Sequence, residues 1–193
     1  MNQHSINNRR RIDLFWDGQS ASDHCVQIYE DDAVFFDALE GFVAGGIRQG
    51  DAIVLIATPA HLQGLERRLA ASGFDVAAAA KRGQYFALDA RASLAEIMVD
   101  GWPDEALFER FIGALLKRAR REQRQVRAFG EMVALMWSDE QREATVRLEH
   151  LWSGLCARES FSLFCAYPKA GFADGADSGY SQVCSAHSRL YAV

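Results

Sequence analysis

The run Ala52-Ile53-Val54-Leu55-Ile56-Ala57, followed at once by Thr58-Pro59, decides the fold of this chain. Six apolar residues in succession are too few for a buried helix and too uniformly apolar for a strand wet on one face. They predict a strand covered on both sides, inside a parallel sheet. Thr58 then supplies an N-cap hydroxyl and Pro59 the preset φ of a first helical turn, so a helix leaves the strand's carboxyl end. Strand followed by helix is the unit from which parallel sheets are built.

The same alternation continues outward in both directions. Upstream, residues 25–29 are apolar enough for a buried strand. Val34, Phe35, Leu39, Phe42 and Val43 then recur at helical spacing, with Gly45, Gly46 and Gly50 expected to close that helix. Downstream, Leu62, Leu65 and Leu69 give the helix after Pro59 its core face, and Gly73 ends it. Residues 85–88 read as a third strand, with Asp89 bordering a helix that runs through Met98. After the break Gly101-Trp102-Pro103-Asp104, a longer helix over 105–122 carries Leu107, Phe108, Phe111, Ile112, Leu115 and Leu116 as a buried stripe. Residues 126–129 form the fourth strand, 140–156 an amphipathic helix and 161–166 the fifth strand. The tail is glycine-rich after Pro168 and regains order potential at 180–190. The expected architecture is α/β in three layers: a mainly parallel central sheet flanked by helices. A single domain spans 22–190, and the polar segment 1–21, with Arg9, Arg10 and Arg11, is expected to be flexible.

Composition narrows the function classes. The chain has 193 residues, 49% of them hydrophobic, which suits one domain with a sizeable core. A formal net charge of -5 argues against a general nucleic-acid binder. No signal-peptide core follows the arginines and no run of about twenty residues is apolar enough to span a bilayer, so a soluble cytoplasmic protein with no membrane partner is expected. Cys25, Cys156, Cys165 and Cys184 match neither a zinc spacing nor a disulfide framework and read as reduced thiols. Lys81, Lys117 and Lys169 are the only lysines and none follows a glycine, so there is no P-loop and no ATPase of that type. A dinucleotide fingerprint, a nucleophile elbow and a zinc-protease motif are likewise lacking. No cofactor, catalytic residue or metal ligand is therefore assigned. A Cys/His metal site would require His24-Cys25 and Cys184-Ser185-Ala186-His187 to converge in space, and their spacing does not demand it.

Ligands of parallel sheets bind beyond the carboxyl ends of the strands. In Val126-Arg127-Ala128-Phe129-Gly130-Glu131-Met132-Val133 a carboxylate stands behind a glycine in a segment that otherwise reads as a buried strand running into a helix, where it needs pairing, backbone hydrogen bonds or an open cleft. Glu131, Tyr29, Thr58 and Tyr167 all fall at strand ends and are expected to line one pocket, with His24 approaching from the start of the first strand. His61 and His150 read as surface residues.

Taken in order, His24-Cys-Val-Gln-Ile-Tyr29, Gly50-Asp-Ala-Ile-Val-Leu-Ile-Ala-Thr58, Gly73-Phe74-Asp75, Tyr85-Phe-Ala-Leu-Asp89, Phe129-Gly-Glu-Met-Val133, Leu148-Glu-His-Leu-Trp152, Phe161-Ser-Leu-Phe-Cys-Ala-Tyr167 and Cys184-Ser-Ala-His-Ser188 resemble the MEDS domain. This is the sensory domain of methanogen and methylotroph regulators of the dichloromethane-repressor type. The resemblance covers about residues 22–190. It implies a RecA/KaiC-like fold without its Walker A loop, and a non-catalytic sensory role in binding a small organic ligand. No kinase, helix-turn-helix or receiver segment is recognised, so the signal is expected to pass to a separate kinase or transcriptional regulator or through a homo-oligomer. Two alternatives stand beside it: a ligand-free protein-interaction module using the basic stretch 118–124, and a small-molecule enzyme with Glu131 as general base.

Overall fold

The computed structural model describes residues 11, 12, 14–16, 18, 20–172 and 177–191, with backbone alone at 177–180. Six strands form one sheet: β1 (His24–Tyr29), β2 (Ala52–Ala57), β3 (Tyr85–Asp89), β6 (Val126–Gly130), β7 (Ser162–Pro168) and β8 (Arg189–Tyr191). Their order is β3-β2-β6-β7-β1-β8 and every pairing is parallel. The α/β class read from the sequence is thus the class observed, and the run 52–57 lies inside the sheet as its apolar continuity requires. Among the described residues no helix is long and apolar enough to cross a membrane.

Strand alternation sorts the core into two layers. Val54 and Ile56 of β2, Ala128 of β6 and Leu163, Cys165 and Tyr167 of β7 face one side. That side is covered by α4 (Ala90–Ala95), α5 (Glu105–Ala119), α6 (Met132–Ser138), α7 (Arg142–Glu159) and α8 (Asp177–Ser185). Ile53 and Leu55, Phe129, Phe164 and Ala166 face the other side, under α1 (Asp32–Gln49), α2 (Pro59–Ala71) and α3 (Val76–Lys81). Ile12 and Trp16 join this second layer, and the Trp16 indole N–H donates to Ala38 O at 3.0 Å. Of the segment 1–21, expected to be flexible, residues 1–10, 13, 17 and 19 lie outside the described residues.

Several boundaries differ from the sequence reading, each for a packing reason. Gly45 and Gly46 do not end α1. They lie inside it, because a Cβ at Gly46 would stand 2.6 Å from Ile53 Cδ1 and 2.8 Å from Arg127 Cδ, so the helix needs glycine to approach the sheet. Gly50, at φ 84°, is the residue that closes it. The helix after β3 stops at Ala95. Met98 instead belongs to β4 (Met98–Val99), paired antiparallel with β5 (Trp102–Pro103) around Asp100 and Gly101, both at positive φ. Helix α5 ends at Ala119, before a 3-10 turn at Arg121–Gln123. Its buried centre is Phe108, Ile112, Leu115, Leu116 and Ala119. Phe111, expected at full burial, lies on the flank of that stripe and is only half-buried.

The strand order brings two neighbouring strand ends together as a place for a site. After β2 the chain turns to α2 over one face and moves toward β3, whereas after β6 it turns to α6 over the other face and moves toward β7. Neighbouring strands whose connections diverge leave a crevice at their carboxyl ends. Thr58 follows β2 and Glu131 follows β6 at that switch point.

Candidate functional site

The backbone of Glu131 is still tied to the sheet, its N–H donating to Ile56 O at 2.8 Å, when its side chain turns into the crevice. There Oε2 accepts the Thr58 backbone N–H at 2.7 Å, and Oε1 accepts the Thr58 hydroxyl at 3.4 Å. On the first turn of α2, which Thr58 caps, His61 Nδ1 lies 2.8 Å from Glu131 Oε1, an ion pair when the imidazole is protonated. The Glu131 carboxylate raises the His61 pKa, and burial opposes it. Phe35 and Phe36 of α1 wall the imidazole at centroid distances of 4.9 and 5.6 Å, and Tyr29 stacks on Phe35 at 4.8 Å. Burial, and after it the Glu131 charge, pushes the Tyr29 hydroxyl upward, so it stays a neutral hydroxyl. The His61 and Glu131 side chains are 20% and 9% exposed, which puts this carboxylate–imidazole pair at the rim, within reach of solvent.

Of the five side chains expected in one pocket, the structure gathers Tyr29, Thr58 and Glu131 here. It sends Tyr167 and His24 elsewhere, and strand parity is the reason. In the β1–β7 register Ile28 stands beside Tyr167 and Tyr29 beside Pro168, so Tyr167 faces the layer opposite to Tyr29. His24, an even number of residues from Val26 and Ile28, shares that opposite layer.

There the two meet a second, enclosed cluster. Glu149 of α7 accepts the Tyr167 hydroxyl on Oε1, and its Oε2 lies 3.5 Å from both His24 Nε2 and His187 Nε2 and 4.0 Å from Cys165 Sγ. His24 Nε2 is 3.4 Å from Cys165 Sγ, and the two imidazole rings are 4.0 Å apart. Desolvation raises Glu149 and Cys165, and lowers His24 with His187 adding to the effect, so the uncharged forms are favoured. One donor atom from each of His24, Glu149, Cys165 and His187 falls within 4.8 Å of the others, so among the described residues this is the set able to hold a metal ion.

Sequence reasoning gave Glu149 no role, read Cys165 as a plain reduced thiol and His61 as a surface residue, and set aside the convergence of His24 and His187 that the structure shows. Glu149 carried a usable signal: with Thr145, Leu148, Trp152, Leu155 and Cys156 it recurs at helical spacing on the buried face of α7, a core position for an acid. His150, one residue on, is exposed as expected. The sulfur that meets the histidines is Cys165, not the adjacent Cys25, which strand alternation turns to the other layer.

Among comparisons with known proteins, the family model described as "MEDS: MEthanogen/methylotroph, DcmR Sensory domain" matches residues 23–187, a span that contains both clusters. No curated protein matches the chain.

Proposed function

The chain belongs to the MEDS family of sensory domains, and from that premise we propose that it is a non-catalytic cytoplasmic module that binds a small organic ligand at the β2–β6 crevice and relays occupancy to a separate signalling protein. One observation carries the reading: Glu131, Thr58 and His61 converge at the topological switch point of a parallel sheet, beside the Tyr29, Phe35 and Phe36 rings. A carboxylate and an imidazole at such a rim suit a ligand that donates a hydrogen bond, such as a small alcohol or amine, with the rings taking its apolar part. The same geometry supports the relay. Glu131 precedes α6 while Thr58 and His61 begin α2, so a ligand that displaces the His61–Glu131 contact changes how helices on opposite faces are held.

Native mass spectrometry of the full chain, with thermal shift against a panel of small alcohols and amines, tests this. The expected result is a bound small molecule whose affinity falls at least tenfold in Glu131→Gln, a variant that keeps the acceptor for Thr58 N–H. Binding unaltered by Glu131→Gln in a folded protein, or no binding across the panel and no molecule retained, overturns it.

A further inference from the structure

The rim site makes no use of the enclosed cluster. We propose that His24, Glu149, Cys165 and His187 are the four ligands of a divalent transition-metal ion of the zinc class, which fastens the C-terminal segment to the sheet.

Spacing is the first argument. Zinc bonds of about 2.0–2.3 Å in a tetrahedron imply ligand-to-ligand edges of about 3.3–3.8 Å. The measured edges are 3.4 Å for His24 Nε2 to Cys165 Sγ, 3.5 Å for each histidine Nε2 to Glu149 Oε2, and 4.0 Å for Cys165 Sγ to Glu149 Oε2. Three of these edges fall in that range, the fourth is about 0.2 Å longer, and all four donor atoms lie within 4.8 Å of one another, so side chains from β1, α7, β7 and the turn after α8 can close on one central ion with small shifts.

The outer contacts orient the donors as metal sites require. His187 Nδ1–H donates to Val183 O at 2.6 Å, which leaves the Nε2 lone pair facing the cluster. That nitrogen makes no hydrogen bond although its side chain is only 1% exposed, an orphaned acceptor aimed at the centre. Around His24 the tautomer is determined in the same way. The Ser153 hydroxyl gives its hydrogen to Ala186 O at 2.8 Å and so accepts from His24 Nδ1–H at 3.0 Å, directing Nε2 inward. Tyr167 occupies Glu149 Oε1 and leaves Oε2 toward the other three donors.

The donor set selects the ion. Two imidazoles, one thiolate and one carboxylate suit a borderline cation, not calcium or magnesium, which take oxygen ligands. The two negative charges of the thiolate and the carboxylate equal the charge of the ion, so the bound site is neutral overall inside the core. Four protein ligands leave no open position, the pattern of a structural site. Its mechanical consequence follows from the chain path: His187 precedes β8, the edge strand beside β1, so the ion ties that edge to the middle of the sheet.

The full chain, stripped by chelator under reducing conditions and titrated with Co2+, provides the test. The expected result is tetrahedral ligand-field bands with a thiolate-to-cobalt charge-transfer band, saturating at one equivalent, displaced by Zn2+, and a melting temperature that Zn2+ raises. Cys165→Ser abolishes the charge-transfer band. Ser153→Ala leaves the band positions in place and weakens Co2+ about 10–100-fold, the loss expected when an outer contact to a ligand is removed. A stripped chain with native circular dichroism but no cobalt bands overturns the proposal. So do bands that persist unchanged in Cys165→Ser, which would place the ion on another cysteine, or in His187→Gln, which keeps the fold testable if Cys165→Ser does not fold.

Discussion

Glu131 and Glu149 are both buried carboxylates that accept a hydroxyl and face imidazole, yet they hold opposite stations. Glu131 sits where two parallel strands end and their connections part. Its partners are a backbone N–H and a half-buried histidine, and its own side chain is 9% exposed. Glu149 sits at the middle of a helix pressed on the sheet, its partners are all side chains, and its own side chain is 1% exposed. The contrast teaches that a residue's type says little about its task. Distance from the carboxyl edge of the sheet decides whether a carboxylate can exchange partners with a ligand or is committed to the neighbours the fold provides.

The largest effect should come from breaking the enclosed side of the pair. Glu149→Ala removes the shared centre of four side chains and leaves the Tyr167 hydroxyl without its acceptor. Urea unfolding of the metal-free chain should show a loss of about 2–5 kcal/mol, the range for a buried large-to-small deletion, to which the orphaned Tyr167 hydroxyl adds. A loss below about 1 kcal/mol would mean that the cluster carries no structural weight.

The two tyrosines give a milder and cleaner comparison. Tyr167→Phe deletes the donor to Glu149 in a closed space and should lower stability by about 1–3 kcal/mol. Tyr29→Phe keeps the ring stacked on Phe35 and should stay within about 0.5 kcal/mol. Equal effects in thermal melts would erase the distinction between rim and interior.

Smallest, and opposite in sign, are the responses to pH. The folded-state pKa of His61 is raised above 6.5 by the Glu131 carboxylate, so its contribution is complete below the unfolded value of about 6.5 and is lost as pH rises through the folded value. Being partly exposed, the pair should be worth no more than about 1 kcal/mol. The folded-state pKa of His24 is lowered well below 6.5 by burial and then by His187, so the unfolded chain takes up more protons and stability declines as pH falls below about 6.5. Relative to wild type, His61→Gln should therefore cost most in acid, whereas the difference between wild type and His24→Gln should shrink there. Denaturant melts of the metal-free proteins across this range check both, and profiles of the same sign would contradict the assignment.

How far the sequence could be read depended on how local each signal was. The run 52–57 and the Thr58-Pro59 start of α2 are complete within eight residues, and both elements lie where that run places them. Glu131 stood out because a carboxylate stood behind a glycine where a buried strand was read as running into a helix. The hairpin at 98–103 was missed because Met98 and Val99 suit a helix equally well until Asp100 and Gly101 adopt positive φ. Phe111 was placed too deep because a helical stripe has flanks that periodicity alone does not resolve from its centre.

By itself the sequence determined the layered α/β plan, the absence of a phosphate-binding loop and the strand-end position of Tyr29, Thr58 and Glu131, because apolar period, capping chemistry and glycine spacing act over a few residues. Only the tertiary structure decided which of these side chains meet. A shift of one residue along a strand reverses the face, so Tyr29 and Tyr167, both at strand ends, part company. His24 and His187 come together across 163 positions because β1, β7, α7 and the turn before β8 converge on one layer, a convergence set by sheet order and register rather than by spacing in the chain.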